Sequence, residues 1–180
     1  IDTTNDEKNI QAIKDSIAAC ITQMDNAENY AAGHAEELVA QAIKEVDRSK
    51  LILVTKVGNT NLDPKDVLTS FEKSLKRLQT DYVDLYLIHS PNPEVPIQNT
   101  LEAMDKLVDD GLVKNIGVSN FKTDRLIEAQ KHTKNKLVVN QVSYNLVMRE
   151  PEQEGLMTFC QVTDVLLQAY RPRSTGHILE

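Results

Sequence analysis

The sequence predicts an α/β fold of the (β/α)8 TIM-barrel type, in which about six of the eight βα units are present. Three observations lead to this prediction. Short apolar runs alternate with amphipathic helical stretches at a spacing of about 30 residues, which is typical of βαβ units. No G-x-G-x-x-G motif follows the first run, which disfavours an open doubly wound dinucleotide-binding sheet. A complete barrel needs roughly 250 residues. We therefore expect residues 1–180 to be a single, partial barrel domain with two strands missing, or an open sheet.

The predicted strands are apolar runs short enough to be buried on both faces of a parallel sheet. Each run is followed by polar residues and then by a helical stretch. The predicted strands are residues 20–24, 51–54, 82–88, 112–118, 137–142 and 165–169.

The predicted helices have apolar residues on one face. The clearest helix follows Asp63 and Pro64, an N-cap residue and a first-turn proline, and its apolar residues recur with helical spacing from Val67 to Leu78. A second helix ends at Gly111, which is placed as the glycine that follows a helix C-terminus. The remaining predicted helices are residues 35–46, 124–132 and 151–161.

Composition excludes several classes of protein. The chain has 20 Lys and Arg against 27 Asp and Glu and no long basic run, so a nucleic-acid surface is not expected. Cys20 and Cys160 are far apart and outside any C-x-x-C motif, which predicts two reduced structural thiols in a cytoplasmic protein. No apolar stretch approaches the roughly 18 residues of a membrane span. The histidines His34, His132 and His177 lack the spacing of metal ligands, so no metal site is predicted.

Polar residues follow every predicted strand, at the end where barrel enzymes carry their active sites. The first run ends at Asp25, with Tyr30 five residues further on, and the second and third end at Lys56 and His89. The later runs end at Ser119 with Asn120, at Gln141 and at Tyr170. The sequence therefore predicts that these polar residues lie together along one rim, at the carboxyl ends of the strands.

The first four of these residues favour a proton-transfer site. A buried Lys56 needs an anion, which Asp25 on the neighbouring strand can supply. A lysine ammonium beside Tyr30 stabilises the phenolate, which makes this tyrosine a usable general acid. His89 can donate a hydrogen bond to a carbonyl oxygen. Such a set suits protonation of an oxyanion formed by hydride addition, which implies a redox cofactor.

Each residue alone also has a structural interpretation. A lysine or an aspartate at a strand end is often part of an ordinary ion pair. His89 could hydrogen-bond its own loop, and Tyr30 could be a partly buried core aromatic. Asp84 and Asp81 are interpreted as strand-edge or turn residues. The occurrence of suitable groups at three successive strand ends favours catalysis for the set.

Several segments of the sequence have the order and spacing of known signature motifs. They include the tyrosine segment with its following glutamate-containing helix, the lysine strand, the strand that ends in histidine, and the Ser-Asn, Asn-Gln and Gln-Ala-Tyr segments. The matching segments are residues 24–30, 33–39, 53–57, 75–89, 111–121, 140–144 and 168–170. Together they cover nearly the whole chain and resemble the signature motifs of the aldo-keto reductases.

The resemblance implies an NADP(H)-dependent reductase that converts aldehyde or ketone carbonyls to alcohols. By position, Tyr30 would be the general acid, Lys56 and Asp25 would tune it, and His89 would orient the carbonyl of a small-molecule substrate. The residues implied to bind NADPH are Ser119, Asn120 and Gln141 at the carboxamide and Tyr170 against the nicotinamide ring.

The sequence also departs from the family pattern. Ala31 and Ala32 replace the glycine that usually follows the tyrosine, Asn26 replaces a threonine, and Arg171 and Arg173 replace serine and leucine. Relative to the family the chain is truncated at both ends. Full-length members are monomers, whereas a truncated chain could form an oligomer that covers its sheet edges. The alternative hypothesis is an inactive barrel that serves as a binding or regulatory subunit. A dehydrogenase with a doubly wound sheet is a third, more distant hypothesis.

Overall fold

The computed structural model describes residues 3–174, whose central element is one six-stranded parallel sheet. The strands are adjacent in the same order as in the sequence, whereas a doubly wound sheet reverses its order at a switch point. The predicted (β/α)8-type fold is therefore confirmed, with six strands in a curled half-barrel. The strands are β1 (Gln23–Asp25), β2 (Ile52–Val57), β3 (Val83–Ile88), β4 (Val113–Ser119), β5 (Leu137–Ser143) and β6 (Leu166–Tyr170).

Helices precede or connect the strands and pack against their neighbours in sequence. A turn at Tyr30–Gly33, with left-handed backbone at its centre, and a short 3-10 helix at Arg48–Lys50 lie in the loops on either side of the second helix. The α-helices are α1 (Asp6–Ala18), α2 (His34–Ile43), α3 (Pro64–Leu78), α4 (Ile97–Asp109), α5 (Thr123–Lys131), α6 (Glu150–Gln153) and α7 (Leu156–Val162). None of the helices within residues 3–174 is long and apolar enough to cross a membrane.

The helix signals in the sequence act through ordinary backbone chemistry. Pro64 occupies the first turn of α3, where its missing N–H is not needed, and Phe71 is fully buried on the predicted apolar face. Asp63 precedes the helix in an extended conformation but makes no capping hydrogen bond. Gly111 has a φ of 73°, a left-handed conformation that ends α4 and directs the chain into β4.

Alternation along the strands creates two apolar layers. Outward-facing side chains such as Tyr86 pack with the helices in the main core, where Phe71 contacts Tyr86 edge-to-face at 4.8 Å between ring centroids. Val54, Leu87 and Val139 form a separate buried cluster on the other face of the sheet, inside the half-barrel. Lys56, two residues after Val54, points to this inner face.

The structure corrects three parts of the secondary-structure prediction. Helix α1 was not predicted. None of its residues is buried, and the apolar periodicity that would mark it in the sequence is weak. The first strand begins at Gln23 because Cys20, with a φ of 66°, terminates the turn after α1; Cys20 is exposed rather than packed in apolar surroundings. The predicted helix over residues 151–161 is two helices, separated at Gly155 with a φ of 77°.

Asp84 lies near a strand end, in agreement with its structural interpretation. It lies within β3, is only 9% exposed, and accepts hydrogen bonds from Arg48 Nη2 at 2.7 Å and the Leu53 N–H at 2.9 Å. Lys114 Nζ lies 2.8 Å from its other oxygen. Burial acts to raise the pKa of Asp84, but these three donors outweigh it and lower the pKa. Asp84 lies near the start of β3 and fixes the end of the sheet opposite the predicted rim.

Candidate functional site

The first four candidate residues lie at one end of the sheet, where three neighbouring parallel strands end. Asp25 is the last residue of β1, Lys56 is the fifth of six residues in β2, and His89 directly follows β3. Tyr30 lies in the turn after β1. Because β1, β2 and β3 are paired in register, their carboxyl ends meet at this edge. The structure therefore brings these four residues together.

Lys56 is the central residue of this group and its side chain is completely buried. Its Nζ donates to Asp25 Oδ1 and to the Asn26 carbonyl, both at 2.8 Å. The same nitrogen lies 3.5 Å from Tyr30 Oη. A buried ammonium is tolerated only where it is paired and hydrogen-bonded, and these contacts satisfy its three donors.

Tyr30 is held close to the ammonium and to His89 but remains open to solvent. Its side chain is 41% exposed, and its ring lies edge-on to the His89 ring, with centroids 5.5 Å apart. The two residues after it, Ala31 and Ala32, have φ angles of 48° and 53°. Alanine disfavours this left-handed region. The tyrosine turn therefore contains backbone strain at the positions where the sequence departs from the family pattern.

His89 is partly buried, and its Nδ1 has no hydrogen-bond partner among the described residues. Burial lowers the pKa of His89, and the nearby Lys56 ammonium lowers it further, against the opposing effects of Asp25 and Glu28. The imidazole is therefore neutral at pH 7. A neutral ring keeps one N–H donor without adding a positive charge beside Lys56.

The other four candidates form a second group on β4, β5 and β6. Ser119 Oγ donates to the Gln141 carbonyl at 2.8 Å, and Asn120 Nδ2 donates to the His89 carbonyl at 2.9 Å. Tyr170 Oη donates to Asn120 Oδ1 at 2.8 Å. Asn120 has a φ of 63°, which asparagine tolerates better than most residues. These bonds fix the side-chain amide of Asn120 between β3 and β6.

Gln141 connects the two groups. Its Nε2 donates to Asp25 Oδ2 at 2.9 Å and to Gln168 Oε1 at 3.2 Å. Among residues 3–174, no group donates a hydrogen bond to its Oε1. This oxygen is also not one of the fully buried side-chain atoms without a partner. This oxygen is therefore available to a ligand that offers N–H donors, such as a carboxamide.

Sequence reasoning missed three residues of this region. Gln168 lies two residues before Tyr170 and so points to the same face of β6, a signal that strand periodicity provides. Glu28, in the tyrosine turn, accepts from the Gly58 N–H at 2.6 Å and from Asn61 Nδ2 at 2.9 Å. Glu36 is fully buried beneath the site, where Thr55 Oγ1 and Arg77 Nε each donate to it at 2.6 Å.

The arrangement supplies a proton donor, a neutral hydrogen-bond donor and amide groups around one open rim. Within residues 3–174, no cluster of three His, Cys, Asp or Glu side chains is placed to hold a metal ion, and His177 lies outside the described residues. These side chains offer hydrogen-bond donors, hydrogen-bond acceptors and ionisable groups.

Comparison with known proteins relates the whole chain to one family. The model of the aldo/keto reductase family matches residues 2–180. Glyoxal reductase from Bacillus subtilis is 36% identical over 178 residues, which cover 98% of this chain and 62% of the relative.

Solved structures agree with this relationship. A thermostable aldo-keto reductase, Tm1743, in complex with the inhibitor epalrestat, superposes with a TM-score of 0.96 at 47% identity, covering 97% of this chain and 64% of that one. An aldo/keto reductase from Klebsiella pneumoniae in complex with NADP and acetate gives a TM-score of 0.91 at 36% identity, covering 99% and 62%. The chain thus spans less than two thirds of the length of these three proteins.

Proposed function

Because the chain belongs to the aldo/keto reductase family, we propose that it carries out NADP(H)-dependent reduction of aldehyde or ketone carbonyls to alcohols. The single observation that carries this proposal is the contact of Lys56 Nζ with both Asp25, at 2.8 Å, and Tyr30 Oη, at 3.5 Å. A buried ammonium between a carboxylate and an exposed phenol is suited to proton delivery at a surface cleft. We propose that residues 1–180 act as one partial barrel domain.

The proposed cofactor is NADPH, which, when bound, supplies a hydride to the carbonyl carbon. The Klebsiella pneumoniae relative is described as a complex with NADP, which supports this choice. In our proposal Gln141, through its Oε1, would bind the carboxamide of the cofactor together with Ser119 and Asn120. Tyr170, tied to Asn120 at 2.8 Å, presents its ring to the nicotinamide.

Tyr30 is the proposed general acid. Its hydroxyl gives a proton to the oxygen that becomes the alcohol, and Lys56 stabilises the phenolate that remains. Asp25 is proposed to hold Lys56 in place, since the carboxylate both balances the buried charge and fixes the ammonium at 2.8 Å. The 41% exposure of Tyr30 leaves its hydroxyl accessible to a substrate.

His89 is proposed to orient the carbonyl. Its ring lies edge-on to that of Tyr30 at 5.5 Å, so one carbonyl oxygen can receive hydrogen bonds from both. The lowered pKa of His89 keeps the ring neutral at pH 7, which leaves Tyr30 as the proton source.

The proposed substrates are small aldehydes, including 2-oxoaldehydes. Support comes from two relatives, the glyoxal reductase of Bacillus subtilis and a methylglyoxal reductase of Escherichia coli, each about 35% identical to this chain. Both cysteines are free, which agrees with the proposed location in the reducing cytoplasm.

The test is a fluorescence titration of the purified chain with NADPH, with NADH as comparison, followed by assay of NADPH oxidation with glyoxal. We expect saturable binding and turnover, with kcat lower by roughly 100-fold or more in Tyr30→Phe. Tyr144→Phe is the matched control, because Tyr144 Oη donates to Glu152 at 2.6 Å outside the catalytic group. Equal rates in Tyr30→Phe and the parent would contradict the role of Tyr30.

A second candidate function is a binding or regulatory subunit without turnover. The observation that favours it is the exposure of large apolar side chains near β6, where Val162 is 75% and Leu166 is 63% exposed. This hypothesis predicts that a cooperatively folded chain neither binds NADPH nor oxidises it, and that it forms a stable oligomer in sedimentation experiments.

A further inference from the structure

Glu28 has an unusual position for a loop side chain, because it takes the place of a backbone acceptor in the sheet. Beyond the end of β1, the Asn26 N–H donates to the Val54 carbonyl at 2.9 Å and the Glu28 N–H to the Lys56 carbonyl at 3.2 Å. The next N–H in this alternating pattern is that of Gly58, directly after β2. It donates not to a carbonyl but to Glu28 Oε1, at 2.6 Å.

The carboxylate therefore extends the β1–β2 ladder by one bond into the tyrosine turn. Asn61 Nδ2 donates to the same oxygen at 2.9 Å, so Glu28 ties the turn to the loop after β2 as well. Tyr30 lies two residues after Glu28. The next two residues, Ala31 and Ala32, have left-handed backbone conformations. A strained turn keeps its shape only where the surroundings determine it.

We propose that Glu28 is a positioning residue that holds the Tyr30 ring between Lys56 and His89. The proposal rests on the proposed reductase function. Its physical basis is the pair of hydrogen bonds that Glu28 Oε1 accepts from the Gly58 N–H and from Asn61 Nδ2. Glu28 anchors the backbone from which Tyr30 projects to Gly58, two residues after Lys56. Loss of the anchor lets the turn relax and moves Tyr30 Oη from its place 3.5 Å from Lys56 Nζ.

The decisive variant is Glu28→Ala, and two others isolate its effect. Glu28→Gln keeps an oxygen that can accept from the Gly58 N–H and removes only the charge. Asn29→Ala is the matched control in the same turn, because the side chain of Asn29 makes no capping hydrogen bond. Folding of each variant is verified by urea denaturation.

The first readout does not need turnover. In the parent, Glu28→Gln and Asn29→Ala, we expect a nuclear Overhauser effect between the Tyr30 and His89 rings and slow exchange of the Gly58 amide. In Glu28→Ala we expect the ring contact to be lost and the amide to exchange roughly 10-fold faster. Retention of both signals in Glu28→Ala overturns the proposal, whether or not the parent reduces carbonyls.

The second readout is kinetic. We expect Glu28→Ala to lower kcat with glyoxal by roughly 10- to 100-fold with KM within about twofold, since small displacements of a catalytic group are costly. Glu28→Gln should restore most of the rate. An unchanged kcat in Glu28→Ala, or an equal loss in Asn29→Ala, overturns the proposal. A parent that shows the ring contact but no turnover contradicts the proposed function and leaves the positioning role decided by the spectra.

If Glu28→Ala does not fold, Gly58→Ala tests the same bond from the other side. A Cβ on Gly58 would stand 3.1 Å from Glu28 Oε1, so the carboxylate must shift by a few tenths of an ångström. We expect a partial loss of the ring contact and of kcat in this variant. Parental values of both contradict the positioning role.

Discussion

Gln141 on β5 donates a hydrogen bond of 2.9 Å to Asp25 on β1, a residue 116 positions earlier in the chain. Three other strands separate β1 from β5 along the sheet, so this bond is made across the inside of the half-barrel. The curvature of the sheet thus lets the Asp25 carboxylate accept hydrogen bonds from both Gln141, in the proposed carboxamide-binding group, and Lys56, in the proposed proton-transfer group.

Asp25→Asn tests the importance of that carboxylate for the fold. The change leaves Lys56 fully buried without its counter-ion, although the Asn26 carbonyl still accepts from Nζ at 2.8 Å. Asp25 is itself partly exposed, so we expect the free energy of unfolding to fall by about 1–3 kcal/mol in urea denaturation, less than for a fully buried pair. Asp15→Asn on the exposed side of α1 should change it by no more than about 0.5 kcal/mol. Equal effects would contradict this argument.

The glycine-substituted tyrosine turn should be more stable than the native one. Ala31 and Ala32 have φ angles of 48° and 53°, which glycine adopts without the steric cost that alanine bears. We expect Ala31→Gly and Ala32→Gly each to raise the free energy of unfolding by about 0.5–1 kcal/mol. Ala35→Gly, in the first turn of α2, is the control and should lower it by about 1 kcal/mol. Destabilisation by all three variants would show that the turn is not strained.

The rim of the sheet was predictable from the sequence because strand ends are marked by composition. Asp25, Lys56 and His89 each terminate an apolar run, and a parallel topology then places them at the same edge. The contact between Asp25 and Gln141 was not predictable, because it depends on the curvature of five strands together.

The tyrosine turn was less predictable than the strands. The sequence marks Ala31 and Ala32 as unusual, but the compensating contact of Glu28 with the Gly58 N–H joins two loops that no periodicity relates. Helix α1 was missed for a related reason. It buries no residue, so the alternation of apolar and polar positions that identifies helices is weak there.

His34 should make stability depend on pH. Its Nδ1 lies 2.9 Å from Glu37 on α2 and its Nε2 lies 2.9 Å from Asp6 on α1. Hydrogen bonds to Glu37 and then to Asp6 raise the pKa of His34 above its ordinary value of 6.5. A raised pKa in the folded state favours the protonated form, so the stabilisation is complete below pH 6.5 and disappears as the pH rises through the folded-state pKa.

The corresponding experiment compares His34→Gln with the parent in urea denaturation between pH 5.5 and pH 9. We expect the parent to be more stable at the acidic end and the difference to shrink toward the alkaline end. Lys8→Gln, on an exposed position of α1, should show no such trend. A difference that grows with pH would show that His34 is not the proton-binding link between α1 and α2.

Arg77→Met should be among the most destabilising single changes in the chain. Arg77 Nε donates at 2.6 Å to Glu36, whose side chain is fully buried, and the Arg77 side chain also packs against Gly33, where a Cβ would stand 2.6 Å from Nε. Without the guanidinium, the Thr55 hydroxyl is the one donor to the Glu36 carboxylate that remains among residues 3–174. Removal of one partner of a buried pair costs about 3–5 kcal/mol, a range that the partial exposure of Arg77 reduces.

We expect the double variant Arg77→Met with Glu36→Gln to recover part of this loss in urea denaturation, because no buried charge is then left unpaired. If the double variant is less stable than Arg77→Met by the full cost of a second deletion, the two side chains act independently and the ion pair does not hold α2 to α3.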